Sequence, residues 1–128
     1  MANNLDQIVD CLRQLQPAPD SRRSVVLGDE DSGPRYVYVS RGSQPNYYAE
    51  ALADPLEADT PREAEAAFEG LDDLGWNPPL PGDSHWYRSW PAQSEADQLS
   101  VALQIQQTLE AAYGIPSDQP LSVRFAFN

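Results

Sequence analysis

Residues 71–91, LDDLGWNPPLPGDSHWYRSWP, hold all three tryptophans and four of the twelve prolines of a 128-residue chain. No other stretch restricts the backbone so tightly. Gly75 is placed to close a helix in the left-handed conformation, with Trp76 folding back on the last turn. Pro78, Pro79 and Pro81 then exclude helix and central strand alike, because each fixes φ and removes a backbone donor. What remains is a stiff, extended connector across the surface. Beyond it residues 85–90 alternate, with Trp86, Arg88 and Trp90 on one side and His85, Tyr87 and Ser89 on the other, which predicts a short strand or edge segment. Two indoles with an arginine between them suit either a core or a docking surface, and the pattern alone leaves both open.

The flanking elements follow from periodicity and caps. Leu5, Ile8, Val9, Leu12 and Leu15 recur at helical spacing over residues 4–16, with Asn3 or Asn4 as N-cap, and Pro17 and Pro19 end that helix. Cys11 falls beside the stripe, where a thiol acts as a small hydrophobe. A β-rich run at residues 24–27 and the alternating RYVYVSR at 35–41 predict a hairpin, with Val37 and Val39 on one face and Tyr36 and Tyr38 on the other. After the turn Gly42-Ser43-Gln44-Pro45, residues 46–52 offer a third strand in which Tyr47 and Tyr48 are opposed and Glu50 lies on the Tyr48 side. Thr60-Pro61-Arg62-Glu63 combines a capping box with proline in the first helical position. The helix it starts carries Ala64, Ala67, Phe68, Leu71 and Leu74 as its apolar stripe, and small residues at 64, 66 and 67 predict close packing on a sheet. Ser94 with Asp97 makes a second capping box. The helix after it has an apolar face broad enough to predict general burial, Leu99 and Leu103 included, and ends at Gly114-Ile115-Pro116. Leu121, Val123, Phe125 and Phe127 alternate in a last strand. The expectation is an α+β fold in one domain over residues 1–128, an antiparallel sheet of about four to five strands flanked by helices in the order α-β-β-β-α-(β)-α-β.

Charge and composition narrow the function. Twenty acidic residues against eight basic ones give a formal charge of −12, and the eight, all arginine, are scattered along the chain apart from Arg22 and Arg23. A phosphate backbone is bound through a clustered positive footprint, so nucleic acid is not an expected partner. Acidity of this size keeps a small protein soluble and would steer a basic segment toward it. No apolar run approaches the roughly 20 residues of a membrane span, and no secretory signal is visible. With one cysteine no internal disulfide is possible, and the cytoplasm is the expected compartment.

No catalytic constellation is apparent. The single histidine, His85, lies in a proline-rich segment, and no glycine elbow surrounds any serine. One cysteine and one histidine do not make a zinc site, and no phosphate loop is present. The acidic loop Asp29-Glu30-Asp31-Ser32-Gly33 lacks the ligand spacing of a calcium site. Asp72 and Asp73, adjacent on a helix, point apart and read as a solvated face. Neither catalytic residues nor a cofactor or metal is expected.

Laid out in this order, with Leu74-Gly75-Trp76, Pro79, Trp86, Arg88, Pro91, Tyr113 and Gly114 in place, the chain resembles the TY-Chap group. These are small bacterial proteins related to YbjN and to type III secretion chaperones. The resemblance implies a helix-flanked sheet, no enzymatic activity, and the holding of a client peptide or protein, often as a homodimer. The better characterised secretion chaperones run helix, three strands, helix, two strands, helix, whereas this chain is expected to finish on a strand. The expected function is a non-enzymatic, cytoplasmic peptide- or protein-binding module. Its alternative is an acidic inhibitor or immunity-type protein masking a basic site on a cognate partner. A peptide binder needs aromatic anchors on an edge or groove; Tyr36, Tyr38, Tyr48, Trp86, Arg88 and Trp90 are the candidates, with Trp90, expected to be exposed at its strand's end, the preferred contact and Trp76 assigned to the core.

Overall fold

The computed structural model describes residues 4–15, 23–28, 36–41, 46–52, 61–82 and 85–127. Its elements follow the expected order: α1 (Asn4–Gln14), β1 (Arg23–Gly28), β2 (Tyr36–Arg41), β3 (Asn46–Leu52), α2 (Pro61–Asp73), β4 (His85–Pro91), α3 (Glu95–Tyr113) and β5 (Ser122–Phe127). The five strands form one antiparallel sheet in the order β4-β3-β2-β1-β5. The acidic loop weighed above as a calcium site, and Thr60 of the first capping box, lie outside the described residues.

The helices cover one face of this sheet. Along β2 the apolar phase, Val37 and Val39, is fully buried, while Tyr36 and Tyr38 in the opposite phase are half-buried. The same side of the sheet receives α1 through Ile8, Leu12 and Leu15, and α3 through Val101, Ile105 and Leu109, all fully or almost fully buried. Burial on this scale contributes about 1.5–3 kcal/mol for each such side chain and is the main stabilising term. α3 lies between α1 and α2 and packs against both. Its start is the expected capping box with one change: Ser94 Oγ accepts from the Asp97 amide at 3.1 Å, but Asp97 Oδ2 accepts from Gln93 N at 3.0 Å rather than from the cap residue itself.

Several expectations are corrected by packing. Of the two candidate caps of α1, Asn3 lies outside the described residues and Asn4 does not cap its own helix. It is 3% exposed, donates from Nδ2 to the carbonyls of Pro116 and Gln119, and accepts from Gln106 Nε2 at 2.8 Å, so it ties α1 to the connector between α3 and β5. A close approach that the sequence reading did not include is made by Gly70 of α2, against α3. A Cβ there would meet backbone atoms of Ala111 and Ala112 at 2.8 Å, so glycine is what lets α2 lie against α3. On α3, Leu99 and Leu103 are exposed, because the helix is gripped from two sides and its outer turns face solvent.

The buried Cys11 thiol is pushed up to about 11 by desolvation, with Asp10 adding repulsion of the thiolate. The unfolded chain therefore ionises first, at about pH 8.5. Stability from this group is therefore complete below that value and is lost as pH rises toward about 11. Native protein at neutral pH is expected to resist an aromatic disulfide reagent until denaturant is added, and urea midpoints should fall between pH 9 and 11 in the wild type but less in Cys11→Ala. Gly70→Ala, which helix propensity alone would make stabilising by about 1 kcal/mol, is expected to destabilise by about 1–3 kcal/mol because backbone cannot yield; urea unfolding measures the sign.

Candidate functional site

Where each candidate residue points is settled by the register of β4 on β3. Ala51 faces Trp86, Ala49 faces Arg88 and Tyr47 faces Trp90, while Glu50 faces Tyr87 and Tyr48 faces Ser89. The first set lies on the face the helices cover, and the second on the opposite face. Trp86 and Trp90 are 2% and 5% exposed, which corrects the expectation that Trp90 is left open by its place near the strand's end. Its indole N–H donates to Gln104 Oε1 at 2.9 Å, and its ring meets Trp76 edge-on at 5.7 Å. Trp86 is held edge-on against Phe68 at 5.0 Å. Both indoles are core of the monomer.

Arg88 belongs to the same buried side. Its guanidinium carbon sits 5.2 Å from the Trp90 ring centre, and Nη1 donates to the carbonyl of Leu74 at the end of α2. That helix has no basic residue in its last turn and carries Asp72 and Asp73 there, the unfavourable end for negative charge. Arg88 supplies the missing cation from a strand. Its role is a clamp on a helix terminus. Trp76, assigned to the core, is indeed buried, and its backbone N–H closes α2 on the Leu71 carbonyl at 3.0 Å while Gly75, at φ 84°, bonds Asp72.

The three tyrosines are brought together. Tyr36, Tyr38 and Tyr48 sit half-buried on the face that no described helix covers, joined by Tyr87. One row of this face runs Arg124, Val26, Tyr38, Glu50, Tyr87 across all five strands. A shallow cavity of about 350 Å³ opens there, lined by Val26, Tyr36, Tyr38, Glu50, His85 and Arg124. Tyr36 and His85 hold one rim together, hydroxyl to Nε2 at 3.1 Å, and the Tyr48 hydroxyl donates to Glu50 Oε1 at 3.0 Å. The cavity mixes phenol faces, one carboxylate and one guanidinium, so it can grip a chain by stacking and hydrogen bonds.

Glu50, His85 and Arg124 were not among the sequence candidates. The alternation of β4 already set His85 opposite the tryptophans, and that of β3 set Glu50 beside Tyr48. Arg124 was invisible because nothing in the sequence says that β5 pairs with β1. Among the described residues no three His, Cys, Asp or Glu side chains come together as a metal site. No helix among them is long and apolar enough to cross a membrane.

Residues 6–126 match the family model described as T3SS (YopN, CesT) and YbjN peptide-binding chaperone 3, TY-Chap3. No curated protein and no solved structure matches the chain.

Because Trp90 is packed and hydrogen-bonded, Trp90→Ala is expected to lower the unfolding free energy by about 3–5 kcal/mol. Tyr38→Ala, on the open face, should cost about 1 kcal/mol or less. Parallel urea titrations compare them, and equal losses would mean that the two faces are misassigned.

Proposed function

The chain belongs to the TY-Chap3 family of peptide-binding chaperones, and from that premise we propose that it holds an extended client segment on the uncovered face of its sheet. The observation that carries this reading is the division of one sheet into two chemistries. Aliphatic and indole side chains are spent on the helix-covered face, and four half-buried tyrosines, two of them (Tyr36 and Tyr38) lining a cavity, are left on the other. Tyrosine suits a binding face that must also stand empty in water. Its ring offers a large contact at the cost of two torsions, and its hydroxyl stays hydrated or bonded until a ligand arrives. No bond need be made or broken.

The surroundings fit a holder of polypeptide. A net charge of −12 draws basic segments by long-range attraction and keeps loaded copies apart by mutual repulsion. A single, buried cysteine suits work in a reducing cytoplasm. A second reading, the masking of a basic site on one cognate protein, is favoured by a different surface: α2 turns Glu65, Glu69, Asp72 and Asp73 outward, all exposed.

Two variants separate these readings. A peptide array probed with the full chain supplies a binding sequence, whose affinity is then measured by calorimetry. Tyr36→Ser/Tyr38→Ser is expected to weaken that peptide about ten-fold or more, about 1.4 kcal/mol, with an unchanged circular dichroism spectrum. Undiminished affinity in this variant, together with loss in Glu65→Gln/Glu69→Gln/Asp72→Asn/Asp73→Asn, would move the binding surface to α2.

A further inference from the structure

Glu50 occupies an unusual position for a carboxylate. It lies on β3, an inner strand, half-buried in the middle of the uncovered face. Tyr38 is its cross-strand neighbour on one side and Tyr87 on the other, and directly opposed side chains of this kind stand about 4.5–5.5 Å apart at Cβ. Tyr48, two residues earlier on the same strand, donates its hydroxyl to Oε1. Three phenols thus surround one carboxylate.

Among the described residues that phenol is its hydrogen-bond partner and no cation pairs with it. Arg124 shares the row but is three strands away, about 14 Å at the usual strand spacing. It is also exposed, so its field at Glu50 is screened by solvent. Neutral donors leave a half-buried carboxylate only partly compensated for the water it has lost. The cavity beside it, about 350 Å³, falls within the size range of small-ligand sites, about 300–1,000 Å³.

From this arrangement we infer that Glu50, with Tyr38, Tyr48 and Tyr87, is a subsite for a cationic side chain, arginine or lysine, of the bound client segment. The inference rests on the reading of this face as the client surface and adds a specificity to it. The carboxylate supplies a charge-assisted hydrogen bond and the phenol faces supply cation–π attraction, two terms that act on the same guest. The charge of the whole chain works in the same direction. An anionic side chain is opposed at Glu50, and the arginine this row offers it, Arg124, stands at the far, exposed end. A divalent ion lacks a ligand set, since no second acidic or thiol ligand joins Glu50 and His85 among the described residues.

The probe is a blocked, extended decapeptide with one central arginine among serine, valine and threonine, set against the same peptide carrying citrulline, which keeps the shape and removes the charge. Both are titrated into the full chain and followed by calorimetry and by amide chemical shifts. The arginine peptide is expected to bind about ten-fold more tightly than the citrulline peptide, a lysine version to keep most of that preference, and shifts to centre on Tyr38, Glu50 and Tyr87. Glu50→Gln, which preserves size, should erase the preference, weakening the arginine peptide more than the citrulline peptide. Raising salt from about 50 to about 500 mM should shrink the wild-type gap several-fold, a readout that needs no variant. Equal binding of both peptides with shifts on this face overturns the cationic subsite and leaves the client surface standing. A preference that survives in Glu50→Gln also overturns it. No shift on this face with either peptide at millimolar concentration overturns the subsite and the client surface together.

Discussion

Two indole rings meeting at right angles hold the rest of this structure in place. Trp76 comes from the end of α2 and Trp90 from β4, on either side of the proline connector, and their rings pack edge-on at 5.7 Å. Each donates its N–H to α3, Trp76 to Thr108 Oγ1 and Trp90 to Gln104 Oε1, and Thr108 Oγ1 in turn donates to the Gln104 carbonyl one turn back. Both ends of the connector are therefore fastened to one helix. Between them Asn77 exchanges backbone hydrogen bonds with Tyr87, which covers part of the outer edge of β4. Edge strands are the loosely held part of most sheets. Here the edge is tied down from within, by buried indoles, and from outside, by the connector.

Much of this was legible from residue order. The helix stops at Gly75 and Gly114 rest on local geometry that only glycine meets cheaply, and both adopt positive φ as expected. Strand alternation in YVYVSR and in residues 85–90 correctly paired side chains by face, because a period of two survives any tertiary arrangement. Alternation does not say which face turns inward. For β2 the pattern left open whether the tyrosine face is covered or exposed, and in the fold it is the valines that are fully buried. In β4 it was open, with Trp86, Arg88 and Trp90 in one phase and His85, Tyr87 and Ser89 in the other. Arg88 could be accommodated inside because the end of α2 supplies a carbonyl and the Trp90 ring a π-face. Neither partner is visible from the strand's own sequence.

The closeness of α2 to α3 escaped notice for a related reason. A glycine in the middle of a helix is ordinarily a propensity defect of about 1 kcal/mol. Gly70 repays this through contact with a backbone some forty residues away, a relation with no local trace. The same holds for Asn4, whose residue type and place suggested a cap, yet whose partners are the carbonyls of Pro116 and Gln119. Polar residues at a helix start satisfy whichever donors and acceptors the fold leaves nearby, and long-range ones prevail when they are buried.

The register that stabilises the fold also determines the chemistry of its open side. A slip of one residue between β3 and β4 would turn every β4 side chain over. Trp86 and Trp90 would then face solvent and the helices would receive His85, Tyr87 and Ser89, a smaller and more polar set that could not replace the contacts with Phe68 and Trp76. The uncovered face would in turn lose Tyr87 from beside Glu50 and His85 from beside Tyr36. A stable core and a tyrosine-lined cavity are thus two consequences of one pairing. Substitution of a buried indole will disturb the open face even though it lies on the other side of the sheet, and loss of binding in such a variant is no sign that the indole touches a ligand.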